Sequence, residues 1–202
     1  MIHTHTEGPI VTLTLDRPDK ANALTETMLR DLVDAVHGAR DAAAIILTGT
    51  GKVFSAGADL DAARAGLATS PLWEELSGAI ADVQGLTIAA LNGTVAGGAN
   101  GMVLACDLRI AVPGAKFFYP VMKLGYLPQP SDPVRMAALI GPARTKLVML
   151  AGHKMTTEQA LAFGLVDECV EAGHLMDRAR ALCSDCASAD RATMRAIKAL
   201  CP

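Results

Sequence analysis

The chain has 202 residues, is 51% hydrophobic and carries a formal net charge of -3. That length and apolar content suit one large domain with a sizeable core. The modest charge, with no long Lys/Arg run, argues against nucleic acid or an anionic membrane as partner, though local basic groups remain available for a phosphate.

The opening segment MIHTHTEGPIVTLTLDRP has neither the basic start nor the long apolar stretch of a secretory signal, and no apolar run reaches membrane-spanning length. A cytoplasmic protein is expected, with His3 and His5 on a mobile terminus. Cys106, Cys169, Cys183, Cys186 and Cys201 are an odd set in a chain too large to need staples, which suits a reducing compartment.

Ile10 to Leu15 alternates apolar residues with Thr, the pattern of a half-buried strand stopped by Arg17-Pro18. After Thr25, the residues Met28, Leu29, Leu32, Val33 and Val36 recur at helical spacing and make one apolar stripe. The run AAAIILTGTG reads as a strand buried on both faces and ended by Gly49 and Gly51. Ser70 and Pro71 open a helix whose buried face is Leu72, Leu76, Ala79, Ile80 and Val83. A second buried strand, LTIAAL, leads into GTVAGGANGMVLACD. Beyond it, DLRIAV reads as a strand, PVRMAALIG as a helix closed by Gly141, and Pro142 as the start of the next helix. Thr156 and Gln159 form a capping box, and LVDECV is a further short strand. Cys183 and Cys186 form a C-x-x-C in a segment of helical periodicity without a second ligand pair. Ordinary helix residues are the reading there, with a redox or zinc role as the alternative.

Two loops stand out. FSAGADL (Phe54 to Leu60) and VAGGANG (Val95 to Gly101) each put small residues where a strand hands over to a helix. Helix N-termini present unpaired backbone N–H groups and a partial positive potential, so two such turns facing each other would stabilise a developing oxyanion. A phosphate loop is the alternative, but neither G-x-x-x-x-G-K-[ST] nor an early G-x-G-x-x-G occurs.

Taken together, LDRPDKANALTETML, IILTGTGKVFSAGADL, IAALNGTVAGGANGMVLACDLRIA and GHKMTTEQALAFGLVDECV resemble the enoyl-CoA hydratase/isomerase, or crotonase, superfamily from about Ile10 to Val170. The resemblance implies an α/β fold, a spiral of strand-strand-helix turns over residues 1–172, with a short helical C-terminal region at 173–202. It further implies assembly as a homotrimer or hexamer, and an acyl-CoA thioester as substrate or ligand with no other cofactor and no metal. In such proteins an enolate forms on the thioester oxygen against two backbone N–H groups. Matched residue by residue, these fall on Ala58 and Gly98. Two donors of this kind are each worth about 3 to 4 kcal/mol to a transition state. Ala56, Gly57, Asp59, Leu60 and Gly97 accompany them along the substrate, Asp59 more as a helix cap than as a catalyst. Lys20, Ala21 and Ala23 of DKANAL correspond to the coenzyme A turn, with Lys20 either reaching a phosphate or simply solvated.

The resemblance fails at the acids. The two glutamates that hydration requires fall on Gly101 and Val121, and the later acid used by other members falls on Gln129, so all three substrate-facing positions are non-ionisable. Asp132 and Tyr119 are the remaining acid/base candidates. Asp132 reads first as an N-cap for the helix opening at Pro133, and a phenol of ordinary pKa near 10 favours donating a hydrogen bond. Two functions stay open: an enzyme of isomerase, lyase or hydrolase type working through a thioester enolate, and a non-catalytic acyl-CoA carrier or sensor.

Overall fold

The computed structural model describes residues 1–201. Strands β1 (Ile2–Glu7) and β2 (Ile10–Leu15) form an antiparallel hairpin. His3 and His5 therefore sit in a paired strand rather than on a mobile terminus, and the His3 ring nitrogen Nε2 lies 2.7 Å from the Asp16 carboxylate. The strand was not legible because IHTHTE has no apolar face: as the edge of its sheet it is exposed at every position after Ile2. Helix α1 (Glu26–Gly38) starts where Thr25 accepts a hydrogen bond from the Met28 N–H, and it buries the stripe from Met28 to Val36.

From there the chain spirals. Each turn lays one strand in a large sheet and a short one in a small sheet, then returns by a helix. The first turn is β3 (Ala44–Gly49), β4 (Val53–Ser55), α2 (Leu60–Arg64) and α3 (Leu72–Ala81). The second is β5 (Leu86–Leu91), β6 (Thr94–Ala96) and α4 (Ala99–Leu104). The third is β7 (Leu108–Ala111), β8 (Lys116–Phe118) and α5 (Val121–Leu124). The large sheet runs β1-β2-β3-β5-β7 and ends on β10 (Glu168–Cys169); it is parallel from β2 onward, which is why β3 and β5 read as nearly unbroken apolar runs. Ile45, Ile46, Leu47, Ile88 and Leu91 are its fully buried centre.

Helix α6 (Asp132–Met149) is broken at Gly141, whose φ of 79° and ψ of 158° no helix contains, and restarts at Pro142 as the sequence implies. Strand β9 (Met155–Thr156) closes the small sheet, β4-β6-β8-β9. Helix α7 (Thr157–Phe163) carries the Thr156/Gln159 capping box, and β10 (Glu168–Cys169) closes the large sheet. His153 lies in the loop before β9, with its Nε2 3.0 Å from Gln159 Oε1. The C-terminal helices α8 (Leu175–Leu182), α9 (Ser184–Ser188) and α10 (Arg191–Ala199) follow. Helix α10 is tied to the spiral by Lys198 on Asp107 at 2.7 Å and Arg195 on Asp41 at 2.9 Å. All five cysteines are free, and burial pushes the Cys183 thiol up to about 11. Among the described residues, no helix is long and apolar enough to cross a membrane, and no cluster of His, Cys, Asp or Glu is placed to hold a metal.

Candidate active site

The geometry of the small sheet brings the two small-residue loops together. Phe54 and Ser55 of FSAGADL belong to β4, and Val95 and Ala96 of VAGGANG belong to β6. These three-residue strands pair in parallel, so both chains leave the same edge of the sheet side by side. The loops touch at Gly57 and Gly97. Both glycines have left-handed backbones, φ 88° and 57°, and a Cβ on Gly57 would stand 2.7 Å from the Ala96 carbonyl oxygen. Only glycine permits this approach.

Each loop is braced from behind. Ser55 Oγ donates to the Asn22 carbonyl and accepts from the Gly57 N–H. The DKANAL turn is stitched to the first loop by Ala56 N–H on Ala21 O, Leu24 N–H on Gly57 O and Asp59 N–H on Leu24 O, each at 2.8 to 2.9 Å. Asp59 caps α2 by accepting from the Asp61 and Ala62 N–H groups, and Arg17 bonds it at 2.8 Å. The Arg17 guanidinium, ahead of these backbone donors, holds that carboxyl below the usual range. On the second loop, the buried Asn100 amide donates to the carbonyls of Gly97 and Phe118 at 2.8 and 3.0 Å. Asn100 is thus a brace, not a group facing a ligand.

The consequence is a pair of free donors. Among the described residues, the N–H groups of Ala58 and Gly98 have no acceptor, and both residues line one cavity of about 370 Å³. The walls are mostly apolar: Leu60, Trp73, Pro120, Val121 and Leu124 share them with Tyr119 and Gln129. Trp73 packs its indole against Gly98, where an added Cβ would meet ring carbons at 3.1 Å, and its Nε1–H is held by the Leu67 carbonyl at 2.7 Å. Sequence reading missed this residue. It is the only tryptophan of the chain, but on a helix of core periodicity that alone marks packing.

Behind the cavity wall lies the chain's most unusual carboxylate. Asp132 is fully buried, and it does not cap α6: Ser131 occupies the N-cap position, without a side-chain bond to the helix. The N-cap role expected for Asp132 is therefore not what the residue does: it is the first residue inside α6. The carboxylate turns inward instead, where Oδ2 accepts the Tyr119 hydroxyl at 2.8 Å and Oδ1 has no partner. Burial pushes its pKa up to about 6; the Glu74 charge pushes the same way, against the Tyr119 hydrogen bond and the Arg135 charge. Burial and the neighbouring Asp132 charge likewise push the Tyr119 phenol up.

Of the residues expected at the site, whether as oxyanion donors, acid/base candidates or substrate contacts, Ala56, Ala58, Leu60, Gly97, Gly98, Tyr119, Val121 and Gln129 come together on the cavity. Lys20, Ala21, Ala23, Gly57, Asp59, Gly101 and Asp132 are not among the residues lining it. Lys20 is exposed at the outer turn, where Ala21 and Asn22 adopt left-handed backbones. Gly101 is buried inside α4, and a Cβ there would lie 3.0 Å from Asp132 Oδ1.

A spiral of paired parallel strands, with two glycine-bearing loops leaving the same sheet edge above one cavity, is the crotonase fold. Residues 5–201 match the Enoyl-CoA hydratase/isomerase family model, and the chain belongs to that family. A curated relative, carnitinyl-CoA dehydratase of Salmonella enteritidis PT4, is 35% identical over 207 residues, covering 98% of this chain and 78% of the relative. Among solved structures, Pseudomonas aeruginosa DspI superposes with a TM-score of 0.90 at 31% identity, covering 98% of this chain and 85% of that one. Enoyl-CoA hydratase from Bacillus anthracis superposes with a TM-score of 0.89 at 28% identity, covering 96% and 79% of the two chains.

Proposed function

We propose that the chain binds an acyl-CoA thioester in the 370 Å³ cavity and stabilises its enolate on the N–H groups of Ala58 and Gly98. One observation carries the reading: two backbone donors without acceptors, on adjoining rigid loops, border the same apolar cavity. Preorganised donors in a water-poor site stabilise developing negative charge without reorganisation. Lys20 on the DKANAL turn and the exposed Arg64 at the cavity rim are the cations available to coenzyme A phosphates. Assembly as a trimer or hexamer belongs to the same proposal, supported by exposed apolar side chains such as Leu124, Leu127 and Leu150.

The reaction class we assign is proton transfer at carbon next to the thioester, as in isomerases and lyases. The second reading, a non-catalytic acyl-CoA carrier, is favoured by one fact: neither Gly101 nor Val121 can accept a proton. The two part in a single experiment. Butyryl-CoA is titrated calorimetrically and then incubated with the protein in D2O, with mass spectrometry for deuterium at the α carbon. Binding with exchange supports the enzyme, binding without exchange supports the carrier, and no binding contradicts both.

A further inference from the structure

The route from acid to cavity is indirect. Among the described residues Asp132 is the one fully buried carboxylate, yet it does not line the cavity; Tyr119 lines it and is hydrogen-bonded to Asp132. A buried polar oxygen without a partner costs free energy, more so when it carries charge; Asp132 does not recover that cost by capping α6, and the Arg135 charge on the same helix offsets it only in part. Glycine at 101 leaves the space the carboxylate needs: any side chain there would begin 3.0 Å from Oδ1. By the resemblance, position 101 is where hydratases of this family carry a glutamate; here α4 has glycine at that position, and the Asp132 carboxylate of α6 occupies the adjoining space.

Resting on the enolate reading above, we propose that Tyr119 is the catalytic acid/base of this site and that Asp132 acts through it as the proton-accepting, positioning residue. In the forward step the Tyr119 oxygen takes the α proton of the thioester while the Tyr119 O–H proton passes to Asp132 Oδ2. The C–H electron pair moves into the enolate, whose oxygen is held by the Ala58 and Gly98 N–H groups. The reverse transfer returns a proton to the α carbon, or to the γ carbon of an unsaturated chain. Protons and electrons balance, with no other reactant. One phenol serving both directions suits proton relocation and exchange, whereas adding water across a double bond calls for a second group to activate the water.

The test compares wild type with Tyr119→Phe and Asp132→Asn, using butyryl-CoA in D2O for exchange and calorimetry for binding. General acid/base assistance contributes about 100- to 10,000-fold. Both variants are expected to lose at least about 100-fold in α-deuterium exchange while binding butyryl-CoA within about twofold of wild type, a split between chemistry and binding that a merely structural role would not give. Exchange retained in Tyr119→Phe overturns the relay while leaving the enolate reading intact; absence of binding in wild type overturns the enolate reading itself. Should either variant fail to fold, 3-fluorotyrosine is incorporated in a Tyr126→Phe chain, where Tyr119 is the remaining tyrosine of two. The more acidic phenol is then expected to change the exchange rate severalfold, and an unchanged rate overturns the proposal.

Discussion

Oδ2 of Asp132 accepts the hydroxyl of Tyr119 at 2.8 Å, while Oδ1 of the same carboxylate is buried without a partner. The pair joins the start of α6 to the segment leaving β8, and only its phenol end lines the cavity that Ala58 and Gly98 border. Its energetics set the pH behaviour expected of the site.

Burial first, then the charge of Glu74 on α3, raises the Asp132 pKa to about 6 against the opposing Tyr119 hydrogen bond and the Arg135 charge on α6. The relay needs Asp132 ionised. Exchange at the α carbon is therefore expected to fall below a midpoint near pH 6, and a profile flat from about pH 5 to 8 would contradict the assignment.

The same shift predicts a stability cost. With its folded pKa raised, Asp132 contributes stability below the ordinary carboxylate range of 3.8, and that contribution is lost as pH rises through about 6. Above pH 7 the ionised group costs on the order of 3 kcal/mol. Asp132→Asn, inactive in exchange, is expected to melt several degrees higher than wild type at pH 8, with the gap closing toward pH 4. A lower melting temperature at pH 8 would mean that the ionised carboxylate has a partner that stabilises it.

Gly98 packs against Trp73 more tightly than a methyl group ordinarily allows, so an added Cβ needs the indole to give by a few tenths of an ångström. Gly98→Ala must displace the indole, whose ring carbons stand 3.1 Å from the new Cβ, and the indole is part of the cavity wall. Butyryl-CoA affinity is expected to fall about tenfold or more, with partial recovery when Trp73→Leu is added. Arg30→Ala on the exposed face of α1 should change nothing. Unchanged affinity in Gly98→Ala would detach this loop from the ligand.

Hydration of crotonyl-CoA is expected to be absent or very slow, since Gly101 and Val121 carry no acid. Returning glutamate at 101 alone would set it against the Asp132 carboxylate, 3.0 Å from its Cβ position. Gly101→Glu and Val121→Glu should therefore gain hydration, on the order of 100-fold or more over the unmodified chain, only when combined with Asp132→Ser. Rapid hydration by the unmodified chain, followed by loss of crotonyl-CoA absorbance, would show that these positions are not the missing acids.

What could be read in the sequence was what is local. The apolar periods of α1, β3 and β5, the Thr156/Gln159 box, the break at Gly141 and the two small-residue loops that carry Gly57 and Gly97 are each contained in a few consecutive residues. The three-residue strands β4, β6 and β8 are too short to carry a period, so in the sequence both loops read as following the long strands directly. Asp132 before Pro133 has the local signature of a helix cap. Its real partner is 13 residues away, and the glycine that gives it room is on another helix. Trp73 likewise reads as core until the fold sets it against Gly98.

The most direct test of the central claim is a crystal structure with butyryl-CoA bound. The account predicts the thioester oxygen within about 3 Å of both the Ala58 and the Gly98 nitrogen, with the α carbon facing the Tyr119 hydroxyl. A thioester oxygen bonded elsewhere, with either N–H left free, would contradict it.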